Sequence, residues 1–105
     1  MSAQSPIPIA CNLNALSAEE RQRRLILVRE FARTVAARKE LPNGFEMTMD
    51  TARLHLPSLA EWIALEQRCC PFLRFTVDIE PGGGAAKIAI TGAEGVKEFL
   101  RAEIS

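Results

Sequence analysis

The spacing of apolar residues changes several times along the chain, and each change marks an element. Met1 to Pro8 carries Pro6 and Pro8 among small and polar residues and reads as a loose arm, about 1–8. Ile9 to Leu13 fits a short edge strand, with Cys11 inside it. Ser17-Ala18-Glu19-Glu20 forms a capping box, in which the Ser17 hydroxyl and the Glu20 carboxylate satisfy each other's backbone N–H. A long helix is predicted from there to about Lys39, with Leu25, Val28, Phe31, Ala32 and Val35 as its apolar stripe. Pro42-Asn43-Gly44 stops it. Phe45, Met47 and Met49 alternate with Glu46 and Thr48, as in a half-buried strand. Ala52 to Leu56 fits a second short strand, with His55 on the face opposite Leu54 and Leu56, and Pro57 ends it.

Ser58-Leu59-Ala60-Glu61 repeats the capping-box spacing, predicting a helix from about Leu59 to Cys70 with Leu59, Trp62, Ile63 and Leu65 inward. Pro71 disfavours helical geometry at Cys70 and stops that helix. Phe72 to Ile79 alternates again, with Leu73, Phe75, Val77 and Ile79 on one face. Pro81-Gly82-Gly83-Gly84 reads as a hairpin connection to a strand at Lys87–Thr91. Thr91-Gly92-Ala93-Glu94 predicts a third capped helix, ending near Ile104. The order implies an α+β fold, a small, mainly antiparallel sheet covered by about three helices, in one domain over 1–105.

Composition narrows the function classes. Thirteen basic residues balance thirteen acidic ones. A general nucleic-acid binder needs a basic surface to displace phosphate counterions, so none is expected here. Arg21, Arg23, Arg24, Arg29, Arg33 and Arg38 are interleaved with Glu19, Glu20, Glu30 and Glu40, which fits a solvated mixed-charge face better than a phosphate site. No apolar run is long enough to span a bilayer, and residues 1–10 carry no secretory-signal pattern. A cytoplasmic location without membrane association is expected. In that reducing compartment an odd count of three cysteines argues against a structural disulfide framework.

The chemistry concentrates in Glu66-Gln67-Arg68-Cys69-Cys70-Pro71-Phe72. Glu66 lies three residues before Cys69 and four before Cys70, so its carboxylate neighbours either sulfur on a helix surface. A carboxylate and two thiols within one turn suit a soft metal ion that takes a further ligand from elsewhere. Cys11 is the natural source of that ligand, and Hg(II), Cu(I) or Zn(II) fit such a thiolate set. His55, a lone histidine on a short strand, is a weaker candidate ligand. The bland alternative is equally concrete, because cysteine is commonly a small buried hydrophobe. A nucleophilic or redox role is less favoured. The pair closes a helix at its negative end, which opposes thiolate, and it lacks the two-residue gap of thioredoxin-like motifs.

The run Glu66-x-x-Cys69-Cys70-Pro71-Phe72-x-x-Phe75, followed by Thr91-Gly92-Ala93-Glu94-Gly95-Val96-Lys97-Glu98-Phe99-Leu100, resembles a group of small bacterial proteins of unassigned biochemical function. Cys11 before an Arg/Glu-rich helix also fits that pattern. The resemblance covers most of the chain after Ile9, and it implies an association with heavy-metal resistance. It carries over Cys11, Cys69 and Cys70 as functional positions and Glu66 as a supporting one. The expectation is therefore a binding protein for a thiophilic ion rather than an enzyme. The alternatives are a structural or interaction module with buried cysteines that forms a homodimer through a sheet edge or helix, and a small thiol-dependent enzyme.

Overall fold

The computed structural model describes residues 10–104, with side chains through residue 102. The arm at 1–8 and Ile9 lie outside the described residues. A 3-10 turn, Leu13–Ala15, leads into α1 (Ala18–Thr34), β1 (Val35–Leu41), β2 (Gly44–Met49), α2 (Leu56–Cys69), β3 (Arg74–Ile79), β4 (Ala86–Thr91) and α3 (Val96–Ile104). The four strands form one sheet in the order β1-β2-β4-β3, every pair antiparallel. This is the expected α+β architecture. Among the described residues, no helix is long and apolar enough to cross a membrane.

Two hairpins and one crossover make the sheet. Pro42 and Asn43 form a tight two-residue loop between β1 and β2, with Leu41 paired to Gly44. Gly44 is a steric requirement, since a Cβ there would lie 2.0 Å from the Ile90 carbonyl oxygen. Pro81–Gly83 turns β3 into β4, with Gly82 and Gly83 at positive φ, where glycine carries no Cβ penalty. The chain crosses from β2 to β3 through α2.

One face of the sheet carries the core. Phe45, Met47 and Met49 of β2 and Ala86, Ile88 and Ile90 of β4 are buried there with Leu27, Leu59, Trp62, Leu65, Val96 and Leu100 of the helices. Trp62 stacks on Phe31 of α1 at 4.6 Å and meets the edge of Phe75 of β3 at 5.5 Å, so one indole joins two helices to the sheet. Phe72 and Phe99 make a second edge-to-face pair at 5.0 Å, holding α3 against the turn that follows α2. Glu40 of β1 accepts from Lys97 at 2.9 Å and from Arg101, which ties α3 to the far edge of the sheet.

Several elements depart from the sequence expectation. The first helix ends at Thr34, and Val35–Leu41 is a strand despite its helix-forming Ala, Arg, Lys and Glu. Backbone pairing with β2 overrides local propensity there. The buried stripe of α1 runs through Leu27 and Thr34, with Val28 and Phe31 half-buried, whereas Leu25 is 47% exposed. The Ser17 capping box is present as predicted. The Ser58 box is absent: α2 starts earlier, with His55 at its N-cap and Pro57 in the first turn, a favoured place for proline. Residues 51–53 are a turn rather than a strand, with Arg53 and Leu54 donating to the Asp50 carbonyl. The described part of the expected 9–13 strand is irregular chain leading into the 3-10 turn. Before α3 there is no capping box; Gly95 takes φ +96° and the helix begins at Val96.

Replacing Gly44 by Ala drives a methyl group into backbone that cannot yield. The expected outcome is a loss of roughly 3 kcal/mol, read from the urea midpoint, because overpacking of this kind forces the strand apart.

Candidate metal centre

The helices α1 and α2 lie antiparallel, and the ion pairs between them set the site. Arg23 makes two bonds of 2.8 Å to the Glu61 carboxylate. Arg24 reaches Glu66 at 2.6 Å, and Arg68 near the end of α2 pairs with Glu20 at the start of α1. The Arg68 guanidinium, with the Ser17 backbone, holds the half-buried Glu20 carboxyl down to about 2. Arg68 also donates to the Ala15 carbonyl at 2.8 Å, and the Asn12 N–H donates to the Cys69 carbonyl at 2.7 Å. The N-terminal segment is thereby laid across the end of α2.

That placement brings Cys11 to Cys70. Their Cα atoms are 4.6 Å apart, across 59 positions of sequence, and the sulfurs are joined in a disulfide. The sequence argues against a structural disulfide framework, and this bond departs from that expectation. The odd count leaves Cys69 as the free cysteine, fully buried, with its sulfur 3.6 Å from that of Cys70. The sharp turn at Pro71 explains why adjacent residues converge. Cys70 leaves helical geometry at φ −128°, ψ 65° while its N–H still donates to the Glu66 carbonyl.

Glu66 completes the cluster. One carboxylate oxygen and the sulfurs of Cys69 and Cys70 lie within 4.8 Å of one another, all three residues buried. A buried carboxylate is costly unless it is paired, and Arg24, itself mostly buried, supplies the pair. The Cys69 thiol is pushed up by burial first and by the Glu66 carboxylate second, with the Arg24 guanidinium acting the other way. It is therefore a protonated thiol at neutral pH, and a soft cation is what would displace its proton. Of the four sequence-derived candidates, Glu66, Cys69 and Cys70 lie together, and Cys11 is joined to them through its bond to Cys70. Arg24 was missed, because nothing in the six arginines of this segment distinguishes the one that faces the core. His55 is separated from the sulfurs by the length of α2, about 20 Å at the usual rise of a 14-residue helix. It is exposed, and its Nδ1 lies 2.7 Å from the Ser58 hydroxyl.

The geometry suits a shared ion. Two sulfurs on one ion at ~2.3 Å bonds and a tetrahedral angle sit roughly 3.8 Å apart. The Cys69 and Cys70 sulfurs, at 3.6 Å, already approach that separation. The chain matches no protein-family model, no curated protein and no solved structure.

Removing Arg24 leaves the buried carboxylate without its counter-charge. Arg24→Met is expected to cost about 3 kcal/mol, and the double variant Arg24→Met/Glu66→Leu to recover most of it, measured by urea unfolding. Acid unfolding carries a second signature. The folded-state pKa of Glu20 is depressed, so its contribution is complete above the ordinary 4.5 and is lost as pH falls towards about 2. Arg68→Gln should flatten the stability–pH curve in that interval.

Proposed function

We propose that the protein binds and holds a thiophilic metal ion, Hg(II), Cu(I) or Zn(II), through Cys11, Cys69 and Cys70 in their reduced state, with Glu66 as a supporting oxygen ligand. The observation that carries this reading is the buried cluster of the Glu66 carboxylate with the Cys69 and Cys70 sulfurs, to which Cys11 is brought by its bond to Cys70. Soft sulfur selects ions of this class over Mg(II) or Ca(II). The resemblance of the Glu66–Phe75 run to small bacterial proteins associated with heavy-metal resistance supports the same reading.

The bound and disulfide states exclude one another, because a sulfur in a disulfide is no longer a thiolate ligand. A dithiol reductant opens the site with two electrons and two protons. The Cys11–Cys70 bond breaks, two thiols form, and the reductant leaves as its own disulfide. Ion binding then releases the thiol protons. Burial argues for holding the ion rather than for turnover: the Cys69 thiol is raised, and thiolate is the nucleophilic form.

A second reading has its own support. The disulfide closes a loop across 59 positions, and on the chain-entropy model such a link stabilises a fold by about 4 kcal/mol. In that case Cys11–Cys70 is a staple and Cys69 is a core residue.

Metal titration of the fully reduced protein separates the two. The metal reading predicts one Hg(II) or Zn(II) per chain, with proton release, and binding weakened roughly a hundredfold or more by Ser at position 11, 69 or 70. The oxidised protein should bind far more weakly. Retention of full affinity in all three Cys→Ser variants would sink the proposal. The staple reading instead predicts no stoichiometric binding, with a loss of stability on reduction that Cys11→Ser reproduces and Cys69→Ser does not.

A further inference from the structure

The two edges of the sheet are built differently. On one side β1 is interrupted by a register shift between Val35 and Ala37 and carries Arg38, Lys39 and Glu40 in succession. A bulge and a run of charge are the usual protections against edge-to-edge pairing. On the other side β3 has none of these. Its six residues run in unbroken register with β4, without proline, bulge or lysine, and five of them are exposed.

The exposed surface of β3 is apolar on the face where the core lies. Phe75 is on that face, against Trp62. Val77 and Ile79 follow at the strand period, 43% and 47% exposed, beyond the cover of the helices. The backbone is poised as well. The Glu80 N–H donates to the Ala85 carbonyl. Alternation along an antiparallel pair then turns the N–H and C=O groups of Arg74, Thr76 and Asp78 towards β4. Those of Phe75, Val77 and Ile79 point away from the sheet. Among the described residues nothing hydrogen-bonds to these outward groups. Nor do Arg74, Asp78 or Glu80 make an ion pair among them.

We propose that the β3 edge is a homodimer surface, at which a second copy of this chain pairs β3 antiparallel to β3 about a twofold axis through Val77. The two four-stranded sheets then become one continuous sheet. Only an even-numbered offset sets outward backbone groups against outward groups. With the axis at Val77, Phe75 lies opposite Ile79 and Val77 opposite its own copy, so all three outward residues bond across the interface. On the other face Thr76 lies opposite Asp78, and Arg74 lies opposite Glu80. Symmetry makes each unlike pair twice, and unlike charges directly opposite stabilise a strand pair while like charges oppose it. The neighbouring registers are worse. One sets Asp78 against Asp78. The other sets Ile79 against Leu73, outside β3, whose N–H is engaged by the Cys70 carbonyl.

Sedimentation velocity of the full chain over a concentration series, under reducing conditions, tests this. The expected result is a monomer–dimer equilibrium. Val77→Lys should abolish the dimer while the far-ultraviolet circular dichroism of the monomer is retained. Arg74→Glu and Glu80→Arg should each weaken the dimer by about tenfold, because each removes two symmetry-related pairs, and the double exchange Arg74→Glu/Glu80→Arg should restore it. A protein that stays monomeric at every concentration overturns the proposal. So does a dimer that withstands Val77→Lys, or one whose single charge reversals the double exchange does not rescue.

Discussion

The arrangement depends on one buried carboxylate. Glu66 is 3% exposed, and a charge so enclosed needs a partner held at short range. Arg24 supplies it from the neighbouring helix. Once that contact is made, the register of α1 on α2 follows. Arg23 meets Glu61, Arg68 meets Glu20, and Phe31 stacks on Trp62. The exposed members of this ladder contribute little energy on their own. Their consequence is positional, because the start of α1 is brought to the end of α2. The short segment before α1 must then cross the helix terminus where Cys69 and Cys70 sit.

The same carboxylate shapes the chemistry. With burial, it keeps the Cys69 thiol protonated, and it offers an oxygen beside two sulfurs. Arg24 balances it only in part at that sulfur. A thiol held in this way is a poor nucleophile and a latent ligand, which is why the proposed function is binding. The disulfide between Cys11 and Cys70 gives the site two states, and the reducing power around the protein selects between them.

Much of this was legible in the sequence, and the exceptions have physical causes. The alternation in Phe45–Met49 and Lys87–Thr91 identified the two central strands, because such strands bury one whole face. The edge strand β1 was misread as helix. Its side chains are mostly exposed, so no periodic burial marks it, and its local propensity points the other way. The Ser58 box misled because its spacing alone does not place a helix start; Pro57 fits the first turn and let α2 begin sooner. The grouping of Glu66, Cys69 and Cys70 was found from residue type and i, i+3/i+4 spacing. The bond between Cys11 and Cys70 was not, since which sulfurs meet depends on how the chain enters α1. Arg24 was equally hidden, being chosen by tertiary packing from a run of similar residues.

The central claim is that three sulfurs from one chain converge on a single ion. X-ray absorption of the reduced protein loaded with Zn(II) reads the ligand shell directly. The account predicts three sulfurs at ~2.3 Å with a lighter oxygen neighbour, and one sulfur fewer in the Cys11→Ser variant. A shell of nitrogen and oxygen alone, or a sulfur count that Cys11→Ser leaves unchanged, would contradict it.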